Sequence, residues 1–206
     1  EDLETLGLGG IPYVISKPGE IPETPPDGAM DVRLWMDRCS VVDKLSVLCA
    51  IRPSELCEVT ENMESRRSKT DRIINVSVDD EHLLSPRLTD GGISLAIGGA
   101  RKLHSINPEP PLRFDSSEAI PEADHPGMPR VLLSEDAIPF VGKGRNVMHG
   151  YIEGADPHII PGQPCIVVSS SGELVAHGVA QSTALEMSLF RKGIAVKIRD
   201  GALKED

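Results

Sequence analysis

Between Asp31 and Ile51 the apolar residues Trp35, Cys39, Val42, Leu45 and Cys49 recur at steps of three and four, with Leu48 beside them. This spacing draws one apolar stripe along a helix, with Asp31 as a candidate N-cap and Pro53 beyond its end. The following "SELCEVTENMES" reads as a short second helix. The period then changes to two. Ile74, Val76 and Val78 alternate with polar residues, as on a half-buried strand, and "TDGG" signals a turn before a further strand in "ISLAI". "GGARKLHSI" predicts a short helix ending before Pro108, with Arg101, Lys102 and His104 on its surface.

From Pro129 onward the pattern gives five candidate strands: "RVLL", "NVMHGYIE", "QPCIVVS", "GELVAHGVAQ" and "GIAVKIR". "SEDAIPFVGKGRN" predicts one helical turn followed by a Gly-Lys-Gly-Arg loop, and "PGQ" and "SSSG" supply turns. Thr183 and Glu186 have capping-box spacing for a helix in "ALEMSLF", with Gly193 as its stop. On the last strand Ile194, Val196 and Ile198 fall on one side, and Ala195, Lys197 and Arg199 on the other. Short strands with tight turns predict a small barrel or sandwich. The fold class is therefore α+β. Its parts are an acidic Pro/Gly-rich tail or linker (1–30), a helical segment (31–64), a small α+β accessory domain (65–108), a linker (109–128) and a mixed β barrel (129–206).

Of the 206 residues 39% are hydrophobic, enough for packed cores. No run of eighteen apolar residues exists to span a membrane, and no basic-then-apolar start suggests a leader, so a cytoplasmic protein is expected. A net charge of -11 argues against a nonspecific nucleic-acid coat, and 3% aromatic content argues against base stacking as the main mode of recognition. The charge is uneven. Glu1, Asp2, Glu4, Glu20, Glu23 and Asp27 face a lone Lys17 in the first thirty residues, and Asp115, Glu118, Glu122 and Asp124 form a second acidic block. After Gly142, Lys143, Arg145, Arg191, Lys192, Lys197, Arg199 and Lys204 balance the acids one for one.

Cys39, Cys49, Cys57 and Cys165 form no C-x-x-C pair, and no histidine lies at metal-finger spacing from them, so they read as reduced thiols, mostly buried. Asp79, Asp80, Glu81 and His82 are consecutive; on a strand they would point to opposite faces and could not converge on one ion. The six histidines are scattered, and Ser169–Ser171 sit in a predicted turn rather than a nucleophile elbow. No cofactor or metal is implied, and catalysis by this chain alone is not expected.

Anion recognition needs Arg and Lys side chains and exposed backbone N–H groups at glycine turns. "GKGRN", with Lys143, Gly144, Arg145 and Asn146, offers both; the bland alternative is an ordinary exposed loop. Arg191, Lys192 and Gly193, with Lys197 and Arg199, form a second candidate patch beside the alternative of a solvated barrel face. Arg101 and Lys102, with His104, form a third, beside the alternative of a plain exposed helix. Arg66, Arg67, Lys69 and Arg72 add charge in what could be a solvated turn.

The order strand, short helix, "GKGRNV", strand, "ADPHIIPGQPCIVVSSSGELVAHGVAQ", helix, "RKGIAVKIRDG" closely resembles the PUA domain, an RNA-binding pseudo-barrel, over Pro129 to Gly201. Arg66 to Ile106, with the strand and loop that follow, is similar to the region before the PUA domain in archaeal tRNA-guanine transglycosylase and the related archaeosine synthase. The resemblance implies that the PUA domain holds a tRNA acceptor stem and that the preceding domain helps with an opened D-arm. It also implies that Arg191 and Lys197 lie near the "GKGRN" loop and share one groove with it. The chain has no room for the family's catalytic barrel and no clustered-cysteine zinc site, and its acidic connector is longer than the family leads one to expect. The resemblance therefore implies a tRNA-binding accessory part without its catalyst, with a transglycosylase subunit as candidate partner. Two alternatives stand beside it. One is a protein-docking subunit that uses the helix at Asp31–Ile51 and the acidic tail; the other is a ribosome- or translation-associated PUA factor.

Overall fold

The computed structural model describes residues 32–87, 89–118 and 126–203. The tail 1–30 and the candidate cap Asp31 lie outside the described residues. Helix α1 spans Val32–Cys49. It stops short of Ile51 because Ala50 turns into the left-handed region at φ 52°. Val42, Leu45 and Cys49 of the predicted stripe are buried. Helix α2 (Pro53–Val59) ends sooner than its sequence suggests. Thr60 Oγ1 donates back to Leu56 O at 2.7 Å, and the chain turns into a strand. "MES", expected to be helical, thus opens strand β1 (Met63–Arg67).

Strands β1, β2 (Ile73–Val78), β3 (Glu81–Pro86) and β4 (Ile93–Leu95) form an antiparallel sheet in that order. Asp79 and Asp80, both at positive φ (53° and 64°), make the two-residue turn between β2 and β3. Strand β3 does not alternate. Leu83 and Leu84 are both buried, at a register shift opposite Val76 and Ser77. The expected turn at "TDGG" closes β3 onto β4, with Arg87 N donating to Gly92 O at 2.8 Å. Helix α3 (Ile97–His104) lies on β3 so closely that a β-carbon at Gly99 would sit 2.0 Å from Leu83 O. The glycine is there for packing.

The C-terminal sheet has six strands rather than five, in the order β6-β10-β9-β8-β5-β7. They are β5 (Arg130–Leu133), β6 (Val147–Met148), β7 (Ile152–Ala155), β8 (Pro164–Val168), β9 (Leu174–Ala180) and β10 (Ile194–Gly201). The stretch "NVMHGYIE" breaks into β6 and β7 at a one-turn 3-10 helix, His149–Tyr151. Strands β5 and β8 run parallel and the other pairs antiparallel, which curls the sheet around a core including Val131, Leu133, Val167, Met187 and Val196. Helix α4 (Ile138–Val141) precedes β6, and α5 (Ala184–Leu189) lies between β9 and β10. The capping box forms as expected, Glu186 N donating to Thr183 Oγ1 and Thr183 N to Glu186 Oε2 at 2.8 Å. The helix stops at Leu189, because Phe190 is already extended; Gly193 is not its terminator.

The small sheet and the barrel are tied together. His104, expected on the surface of α3, is 8% exposed. Its Nε2 meets Gly172 O in the β8–β9 turn at 2.7 Å. Arg130, at the start of β5, pairs with Asp156 through Nε–Oδ2 (2.8 Å) and Nη2–Oδ1 (3.1 Å), while its Nη1 donates to the carbonyls of Asn107 and Glu109. The Pro-rich connector packs rather than dangles where it is described: Arg113 bridges Gly154, and Phe114 N donates to Glu153 O at 2.8 Å. Contacts divide the chain into residues 1–41 and 42–206, and both sheets belong to the second unit. Among the described residues no helix is long and apolar enough to cross a membrane.

Candidate nucleic-acid interface

The Gly142–Asn146 loop leaves α4 and enters β6, and β6 pairs with β10, the strand carrying Lys197 and Arg199. Three contacts seat the loop on that strand. Asn146 Oδ1 accepts the N–H of Ile198 at 3.0 Å. Gly142 O accepts the N–H of Leu203 at 2.9 Å. Gly201 and Gly142 touch backbone to backbone: a β-carbon at Gly201 would lie 2.1 Å from Gly142 O. Lys143, Gly144, Arg145 and Asn146 are left exposed, beside exposed Lys197 and Arg199, which alternate with buried Val196 and Ile198.

Two of the loop's backbone donors are taken up within the turn. Gly144 N–H donates to Val141 O at 2.8 Å and Arg145 N–H to Phe140 O at 3.2 Å. These donors are engaged within the turn, so an anion here meets the Lys143 and Arg145 side chains.

Arg191, Lys192 and Gly193 are exposed at the other end of the β6–β10 pair, where Ile194 is in register with Met148. Buried His149 fixes this end. Both its backbone N–H and its Nδ1 meet Gly193 O at 3.1 Å, and its Nε2 meets Ser182 Oγ at 2.9 Å. Because a carbonyl can only accept, the ring donates to it from Nδ1. Phe190 packs edge-on against it at 5.4 Å. The sequence did not single out Met148, Tyr151 and Phe190, and it put Ile194 on the side of Val196 and Ile198; all four are exposed here, Ile194 because the β6–β10 register shifts between it and Val196 and leaves Ala195 buried instead. The signal for Phe190 would have been the early end of α5.

Ion pairing separates the three predicted patches. Among the described residues, Lys143, Arg145, Arg191, Lys192, Lys197 and Arg199 have no carboxylate within ion-pair distance. Arg101 faces Glu81 at 3.7 Å, and Lys102 pairs with Asp79 at 2.9 Å. The hydrogen bonds from Lys102 and Asn62 hold the Asp79 carboxyl below its usual range. The cations on α3 thus each face a carboxylate at the β2–β3 turn, unlike those of the loop–β10 group.

Burial pushes the thiols of Cys49 and Cys165 up to about 12; Cys39 is half-buried and Cys57 exposed. Among the described residues no group of three or more His, Cys, Asp or Glu side chains converges as a metal site.

Residues 129–202 match the PUA domain family. That part of the chain is similar to a PUA domain. Ahead of it, residues 54–110 match the patch-forming domain C2 of tRNA-guanine transglycosylase. The tRNA-guanine(15) transglycosylase of Thermococcus onnurineus is 34% identical over 136 residues, 66% of this chain and 20% of that protein. That of Pyrococcus furiosus is 33% identical over 144 residues, 70% of this chain and 22% of that protein. The chain thus spans about a fifth of the length of these curated relatives. Among solved structures, a hypothetical protein of Pyrococcus horikoshii has a TM-score of 0.57 at 21% identity, covering 82% of this chain and 92% of its own. A PUA domain from Aeropyrum pernix K1 has a TM-score of 0.54 at 17% identity, covering 82% and 83%. These two likenesses concern the fold alone.

Proposed function

We propose that this chain binds RNA, and specifically folded tRNA, as a non-catalytic accessory part of a tRNA-modification system of the tRNA-guanine transglycosylase type in the cytoplasm. The carrying observation is the set of cations on the β6–β10 edge that face no carboxylate among the described residues, in a chain whose net charge is -11. Lys and Arg held away from carboxylates in an acidic chain suit a polyanion with a fixed shape. RNA helices are held through phosphates and 2′-hydroxyls across their grooves. The acidic remainder disfavours promiscuous binding. Because the N–H groups of Gly144 and Arg145 are engaged, grip comes mainly from side-chain charge, and affinity should be strongly salt-dependent. Bond chemistry would come from a separate catalytic domain or subunit.

The test is binding of the purified chain to tRNA and to single-stranded RNA of equal length at two salt concentrations. The reading expects preference for tRNA, weakened by salt and by Lys143→Ala with Arg145→Ala. Equal binding to both RNAs, or none, would overturn it. A second reading, protein docking at this edge, is favoured by the exposed Met148, Tyr151, Phe190 and Ile194 beside Arg191.

A further inference from the structure

The β1–β2 hairpin concentrates positive charge that the PUA edge does not use. Arg66, Arg67, Lys69 and Arg72 fall close together, against Asp71 alone. Arg67 is engaged locally: its guanidinium donates to Asp71 O and pairs with the Asp71 carboxylate at 3.5 Å. Arg66, Lys69 and Arg72 have no carboxylate within ion-pair distance among the described residues. Every other Lys or Arg described between residues 42 and 118 is held by a carboxylate or, for Lys44, by the carbonyl of Gly91. Among the described residues 42–118, positive charge without such a partner is therefore confined to one hairpin.

That hairpin is built. Ser68 N donates to Arg72 O at 2.8 Å, and Asp71 N donates back to Ser68 O at 3.0 Å. Ser68 Oγ accepts from the N–H groups of Thr70 and Arg72 at 3.3 and 3.2 Å. Below the tip Arg66 stands opposite Asn75, and Glu64 opposite Ser77. With Ser65 these four line an open, polar groove on the sheet.

We infer that this hairpin is a second RNA-backbone contact, made by Arg66, Lys69 and Arg72 with Asn75 and Ser77 beside them. The inference rests on the RNA-binding reading and extends it to the accessory domain, away from Arg101 and Lys102. Guanidinium groups fork onto phosphate oxygens, and the amide and hydroxyl suit 2′-hydroxyls. A protein partner would call for an apolar or aromatic anchor. The groove offers only Glu64, Ser65, Arg66, Asn75 and Ser77.

The experiment measures the affinity of the full chain for tRNA across a salt series. It compares wild type, Arg66→Gln/Lys69→Gln/Arg72→Gln, Lys69→Glu alone, and Lys143→Ala/Arg145→Ala. The hairpin triple should bind on the order of tenfold more weakly at low salt, with the slope of log K against log salt shallower by about two to three. Lys69→Glu, at an exposed tip, should weaken binding in the same direction. If both hairpin variants melt like wild type and keep its affinity and slope, the hairpin inference falls and the PUA-edge reading stands. If wild type binds no tRNA, both fall. If wild type binds poly-glutamate as tightly as tRNA, and the hairpin triple loses that binding, the hairpin belongs to an acidic protein and the inference falls.

Discussion

The side chain of Asn146 accepts the backbone N–H of Ile198 at 3.0 Å, so the loop bearing Lys143 and Arg145 is hooked to the strand bearing Lys197 and Arg199. Asn146 is thus a positioning residue, whatever contact its exposed amide makes with a ligand.

Asn146→Ala should leave the Ile198 N–H without its acceptor and lower stability by about 1 kcal/mol. RNA affinity should fall although no charge is lost. Thermal melts and tRNA titrations check this; an unchanged salt slope would separate misplaced charge from missing charge.

The Arg130–Asp156 pair is nearly enclosed, with side chains 10% and 9% exposed. Asp156→Ala strands a buried guanidinium and should cost about 3–5 kcal/mol. Replacing both residues by apolar ones of similar volume should cost less than removing Asp156 alone. Urea unfolding of the two variants compares them directly.

His177 is 2% exposed, and its Nε2 has no hydrogen-bond partner among the described residues. Burial lowers its pKa from the usual value; Asp200 opposes this and Arg199 adds to it. The unfolded chain therefore takes up a proton near pH 6.5 while the folded ring stays neutral. Stability should be full above that pH and decline as pH falls toward the lowered folded value. A shallower decline in Tm between pH 7.5 and 5.5 for His177→Gln than for wild type is the expected result.

Thr183→Ala removes the acceptor for Glu186 N at the start of α5. The loss should be about 1 kcal/mol, read by thermal or chemical denaturation.

Much of the barrel was legible because its strands are short, apolar and punctuated by turns, and because the Thr183–Glu186 spacing is local chemistry. Strand β1 was not. It is an edge strand in which only Met63 is buried, so "MESRR" carries no period. Strand β3 hid behind Leu83 and Leu84, whose adjacent burial comes from a register shift set by its partner. The cations on α3 looked available because their partners, Asp79 and Glu81, arrive from another hairpin. Pairing across elements decides which charges are free, and no spacing along the chain records it. The loop's glycines do not record that the N–H groups of Gly144 and Arg145 close the turn they stand in.

Strand β7 ends the six-stranded sheet, and the connector is what lies along it. Phe114 N–H meets Glu153 O, and the Arg113 guanidinium pairs with the Glu153 carboxylate at 2.9 Å. A segment whose composition says spacer is acting as a seal. Cutting the barrel free at Pro129 would strip that seal and leave bare strand donors and acceptors, the template on which chains add to one another. Proteolytic nicking in the connector would then show first as self-association, before any change in the barrel's own packing.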